Sequence, residues 1–160
     1  MNDEAYDQEA FDEEGAREPR TPRDPADTLR LALIVYVVVN LALGIPLALV
    51  PIGFLDFIGV DPVIASELGG LRWVGAVLVA WGISAVLVLA RPVGRAYFVT
   101  VGALQMTLAA VAFFYSWWRH ESLGSAWFQA AAGVVLVASA VYLWWARLKA
   151  RSVLAFDEPG

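Results

Sequence analysis

Polar groups inside otherwise apolar sequence are where this chain could do chemistry, and they are few. Asn40, Ser84, Thr100, Gln105, Thr107 and Ser139 lie within long apolar runs, and Arg72 opens one of them, in ELGGLRWVGAVLVAWG at residues 67–82. Amides and hydroxyls so placed can line a ligand site or bond helix to helix. The second role is the commoner, at on the order of 0.6 kcal/mol per contact. Asn40 and Gln105 are retained as candidates for lining a site. The Arg72 guanidinium suits an anionic headgroup or a polarised carbonyl. It falls at helical spacing with Gly75, Val79, Gly82 and Val86, yet two residues into its run it can also snorkel to an interface beside Trp73. Glu67, five residues back, is poorly spaced for a helical ion pair; Asp56 or Asp61 from the preceding connection is as good a partner. Gln129, beside a stripe of small residues in the last run, completes the candidate set of Arg72, Glu67, Asn40, Gln105, Gln129, Gly75 and Asp61. For Arg72 the structural and ligand-contacting readings both stay open.

Several chemistries lack their residues. There is no cysteine, so disulfides, thiol catalysis and thiolate metal sites are excluded. No apolar run has an interior acid, which a proton-coupled pump would use. The single histidine, His120, lies in an Arg-His-Glu turn and has no evident partner for haem or metal ligation. The only lysine, Lys149, lies beyond the last run, so a Schiff base within a span is excluded. No phosphate loop or nucleophile elbow is present. The sequence therefore reads as a non-enzyme, with no catalytic residue, metal site or cofactor site of its own.

The elements that must position these groups follow from composition. Of 160 residues, 59% are hydrophobic and 17% charged, against about 45–50% and 25% in soluble domains. Ten of the sixteen acids fall in the first 27 residues, and only four acids and four basic residues lie between Leu31 and Ala146. The net charge of −5 thus describes mainly a tail and gives no basis for nucleic-acid binding. Residues 1–28, acidic and then proline-punctuated, are predicted to be a disordered cytoplasmic tail, with Tyr6 and Phe11 as anchors if it docks on anything. A secretory signal begins with a short basic region, whereas the first fourteen residues here carry seven acids and no base, so no secretory signal is expected.

Four apolar runs, at about 29–50, 71–90, 96–118 and 125–146, are each long enough to cross roughly 30 Å of hydrocarbon at about 1.5 Å per residue. They do not alternate as barrel strands would. The prediction is an all-α integral membrane four-helix bundle over 29–146, with antiparallel up-down neighbours and a cytoplasmic tail at 147–160. Nine of the eleven basic residues fall on one side of these spans, so both termini are expected in the cytoplasm of a cell-membrane protein. Trp73, Trp117, Trp118 and Trp127 at the outer ends, and Tyr97, Trp144 and Trp145 at the inner ends, fit interfacial belts. The 51–70 connection is expected to hold a short helical turn in the outer interface, and Ser66 to cap the second span. Stripes of small residues should face the bundle interior: Tyr36, Asn40 and Gly44; Arg72 through Val86; Gly102, Gln105, Ala109, Ala112 and Ser116; Ala126, Ala130, Gly133 and Ala140.

The segment ELGGLRWVGAVLVAWG, following GIPLALVPIGFLDFIGVDP, resembles small four-helix bacterial membrane proteins of the DoxX-like type and related domains of unknown function, over about residues 30–146. The resemblance implies Glu67, Gly70, Arg72 and Gly75 as shared positions. It also implies, for some relatives, an accessory role in quinol-dependent respiration or oxidative-stress complexes. Three functions are expected in order: an accessory or scaffolding subunit that meets lipid, membrane-protein partners or its own copies; a binder of a quinone or lipid in an outer-leaflet cavity lined by Arg72, Gln129, Asn40 and aromatic residues; and a small oligomeric transporter or channel.

Overall fold

A computed structural model describes residues 24–60, 67–120 and 124–154. Asp61, Ser66 and the acidic N-terminal segment lie outside the described residues. What is described is helical: α1 (Pro25–Leu49), α2 (Pro51–Ile58), α3 (Leu68–Ala90), α4 (Ala96–Trp118), α5 (Ala126–Lys149) and α6 (Arg151–Leu154). Four of these helices, α1, α3, α4 and α5, are long and apolar enough to cross a membrane. Only 22 to 28% of the most apolar stretch of each is buried inside the molecule. Leu108, Val134, Val141 and many similar side chains therefore point outward. In water so large an apolar surface would drive association; in lipid it is the matching solvent.

Two boundaries differ from expectation. The first helix begins at Pro25, inside the segment expected to be tail. Asp24 caps it, accepting from Ala26 N–H at 2.9 Å, and Pro25 occupies the first turn, where a missing N–H leaves nothing unpaired. The last long helix continues to Lys149, and α6 follows within the expected C-terminal tail. Here the charged residues stay helical because their cations rest on indole faces: Arg147 lies 5.9 Å from the Trp144 ring centroid and Lys149 5.1 Å from that of Trp145. The expected helical turn in the 51–70 connection is α2, ended by Gly59 in the left-handed region (φ 79°), whose N–H bonds back to Asp56.

The helices pair unequally. The most extensive packing is α1 on α3, then α4 on α5, with α1 joining the two pairs through α5. The α1–α3 crossing is a backbone contact. A Cβ on Gly75 would fall 2.4 Å from the Ala48 nitrogen and 2.8 Å from the Gly44 carbonyl oxygen. Without side chains at these positions the helices approach closely enough for dispersion to hold them, which is the main attraction available in lipid. At one end of the bundle, Leu29 and Leu33 of α1, Val88 of α3, Val99 of α4, Ala150 and Leu154 form one buried cluster, so successive long helices alternate in direction. At the other end α2 docks on the start of α5. Ser125 N–H donates to the Ile58 carbonyl at 2.7 Å, and Phe54 and Phe57 make edge contacts with Phe128 and Trp127.

Candidate functional site

The two amides singled out in the sequence meet. Asn40 of α1 is fully buried and Tyr36, one turn earlier, is 1% exposed. Asn40 Nδ2 donates to the Tyr36 carbonyl at 2.9 Å, Gln105 Nε2 of α4 donates to Asn40 Oδ1 at 3.3 Å, and the Tyr36 hydroxyl donates to Gln105 Oε1. The directions are mutually fixed. A carbonyl can only accept, so Asn40 turns its nitrogen to the helix and its oxygen to Gln105. Gln105 must then offer nitrogen to Asn40 and oxygen to the tyrosine. Gly102 makes room for this arrangement, since a Cβ there would already touch the Tyr36 ring at 3.4 Å. Each amide nitrogen carries two hydrogens. Asn40 directs its nitrogen to Tyr36, to the carbonyl and beside the hydroxyl, whereas Gln105 Nε2 has Asn40 Oδ1 as its partner in this network and has a second N–H to offer another acceptor.

Both amides line a cavity of about 430 Å³ between α1, α3, α4 and α5, within the size range of small-molecule sites. On α4 the lining runs Gln105, Ala109, Ala112 and Ser116, three turns of one face and about 16 Å of helix. Leu43, Leu78, Phe113, Phe128 and Leu136 supply most of the remaining wall. Among the described residues no charged side chain lines it. The cavity exists because α3 is drawn onto α1 by the Gly44–Gly75 contact, while α4 packs on α5. The small residues of α4 are thus left without a helix to fill them.

The other candidates lie elsewhere. Gly75 makes the α1–α3 contact, a packing role. Arg72 is exposed and does not line the cavity. The expected grouping of Arg72 and Gln129 with Asn40 is therefore corrected. Gly75 already meets Ala48, one residue before α1 ends, so one turn further out α1 has no surface for Arg72 to face. Val86, Ala112, Ala126 and Ala130, expected inside, are likewise exposed. Glu67 is the exposed N-cap residue of α3 and makes no side-chain capping bond. Gln129 Nε2 donates to the Gly124 carbonyl at 2.8 Å and lines a separate hollow of about 330 Å³ with Phe113, Phe114 and Trp117.

Most remaining hydroxyls bond their own helix. Ser84, Thr100 and Thr107 each donate to the carbonyl four residues back at 2.8 Å. Thr107 also accepts from Trp144 Nε1 at 3.1 Å, tying α4 to α5. Among the described residues no group of three histidine or acidic side chains could hold a metal ion. Sequence reasoning did not single out the apolar wall, Phe113 and Phe128 among it, or the Tyr36 hydroxyl. The tyrosine at i−4 from Asn40 was the available signal for the last. No protein-family model, curated protein or solved structure matches the chain.

Proposed function

We propose that this chain is a multi-pass membrane protein that binds a neutral lipophilic small molecule, such as a quinone or an uncharged lipid, in the cavity between α1 and α4. One observation carries the reading: an apolar cavity of about 430 Å³ in which Asn40 and Gln105 are the amides among the described lining residues, with Gln105 having a second N–H to offer beside Asn40. Buried donors favour a ligand with a carbonyl or hydroxyl oxygen, because an unmet buried N–H is costly. The absence of a charged wall residue disfavours an anionic ligand. The bilayer reading rests on the outward-facing apolar helices. The bias of basic residues supports both termini in the cytoplasm of the cell membrane. An accessory role in a larger membrane complex, and kinship to DoxX-like proteins through Glu67, Gly70, Arg72 and Gly75, stay within the proposal as its context. The binding site does not depend on either.

Native mass spectrometry of the full chain, extracted in mild detergent, tests the site. The wild type should retain a neutral lipophile, and A109F should expel it by filling the cavity while leaving the polar network in place. Equal retention by the wild type and A109F would refute the assignment.

A further inference from the structure

At the end of the bundle opposite α2, a hollow of about 320 Å³ is lined by Ala96, Arg147, Arg151 and Leu154. Two arginines line it, four residues apart in sequence on either side of the junction of α5 and α6. Arg147 is held in place: its Nε donates to Thr100 Oγ1 at 2.5 Å, and Thr100 is itself anchored to the Ala96 carbonyl at 2.8 Å. Stacking near Trp144 fixes the same group from one side. That leaves four of its five N–H donors. Arg151 is exposed but its backbone is fixed, because Leu154, 3% exposed, is buried with Leu29 and Leu33 of α1. The hollow also abuts the start of α4, whose cap residue Arg95 supplies no side-chain acceptor to the first turn. Arg147 lies in the last turn of α5, where the helix end is negative, while Arg151 and the start of α4 add positive potential to the same hollow, so an anion between the two arginines is favoured. Ala96 and Leu154 give the same hollow an apolar floor.

We propose that this hollow binds the phosphate of an anionic phospholipid headgroup, with Arg147 and Arg151 donating to its oxygens and the acyl chains lying along the outward faces of α4 and α5. This rests on the bilayer reading above, but not on the ligand of the central cavity. A phosphodiester accepts several N–H bonds at once, and the ends of apolar helices are the depth at which headgroups lie.

The test uses the full chain in phosphatidylcholine nanodiscs at about 0.15 M salt, where exposed charges are largely screened, titrated with short-chain phosphatidylglycerol. The readouts are thermal stability and the lipid adducts retained in native mass spectra. R147Q/R151Q should weaken binding by at least about tenfold, the loss of charged hydrogen bonds. R30Q/R91Q, which removes the same charge from exposed positions outside the hollow, should weaken it by less than about threefold. If R147Q/R151Q fails to fold, R151Q alone should still weaken binding by about threefold or more. Equal weakening by the two double variants overturns the proposal in favour of diffuse surface charge. Displacement of the lipid by equimolar inorganic phosphate overturns the lipid assignment. Binding that appears only in D157N/E158Q overturns it as well, by giving the arginines to the chain's own carboxylates. Retention of a central-cavity ligand in R147Q/R151Q keeps the two sites distinguishable.

Discussion

Gly75→Ala is the substitution with the sharpest expected consequence. Its new methyl would sit 2.4 Å from the Ala48 nitrogen and 2.8 Å from both the Gly44 oxygen and the Leu47 carbonyl carbon. All three are backbone atoms of α1, so no side chain can swing aside. Ordinary contact begins near 3.4 Å, and the helices must therefore part by about 1 Å. A gap of 0.5–1 Å forfeits roughly a quarter to a half of each contact of about 0.1–0.2 kcal/mol. Over on the order of forty atom pairs that amounts to about 1–4 kcal/mol, which spans the range of about 1–3 kcal/mol for overpacking. The contrast is internal to the protein. At Gly82 the nearest atoms to an added Cβ are side-chain atoms, Leu41 Cδ2 at 2.9 Å and Cγ at 3.0 Å with Asn40 Cβ at 3.5 Å, and at Gly70 nothing lies within 4 Å. Alanine at Gly70 should be neutral or slightly stabilising, because it restricts the unfolded chain; at Gly82 the effect should be intermediate. Reversible unfolding in mixed micelles, or steric trapping in bicelles, measures the series directly. If G75A is no less stable than G70A, α1 and α3 do not meet backbone to backbone at this point and the packing argument fails.

Two further outcomes follow. Tyr36→Phe removes the donor to Gln105 while keeping the ring against Gly102, and should lower stability by about 0.6 kcal/mol in the same unfolding assay; no change would show that the hydroxyl has no partner. Reporters fused to either terminus should give a cytoplasmic signal, since nine of eleven basic residues fall on that side; a periplasmic signal at either end would invert or break the proposed topology.

What the sequence could and could not reveal divides along a physical line. The long helices were legible because roughly twenty consecutive apolar residues leave few alternatives; the third span, 96–118, coincides with α4 at both ends. The start of α1 was hidden by proline, which punctuates a tail in one setting and opens a helix in another; only the Asp24 capping bond decides between them. Asn40 and Gln105 were legible as polar residues in apolar runs, and each finds the other. Arg72 was misplaced by periodicity, which gives a face but not where the facing helix stops. The cavity was not legible, because periodicity says nothing about which helices are neighbours. The stripe through Gln105, Ala109, Ala112 and Ser116 has the small residues of a packing face, but here it borders empty volume.

That empty volume and the glycine contact are two sides of one arrangement. A four-helix chain has limited close-packing capacity in lipid, since attraction between helices comes from surface fit rather than from expulsion of water. Here the tightest fit belongs to α1 and α3, through Gly44 and Gly75, and the next to α4 and α5. Neither helix of the first pair can move toward α4 on its own without giving up its backbone contact. The second is held to the first by the packing of α1 on α5 and by the bonds among Tyr36, Asn40 and Gln105. Together these contacts set how far apart the pairs stand, so the residues that would recognise a ligand contribute to holding the cavity open. The cost of an unfilled volume is then offset where the polar network and the glycine contact are satisfied together. This explains why amides, rather than further alanines, occupy Asn40 and Gln105 at the cavity wall.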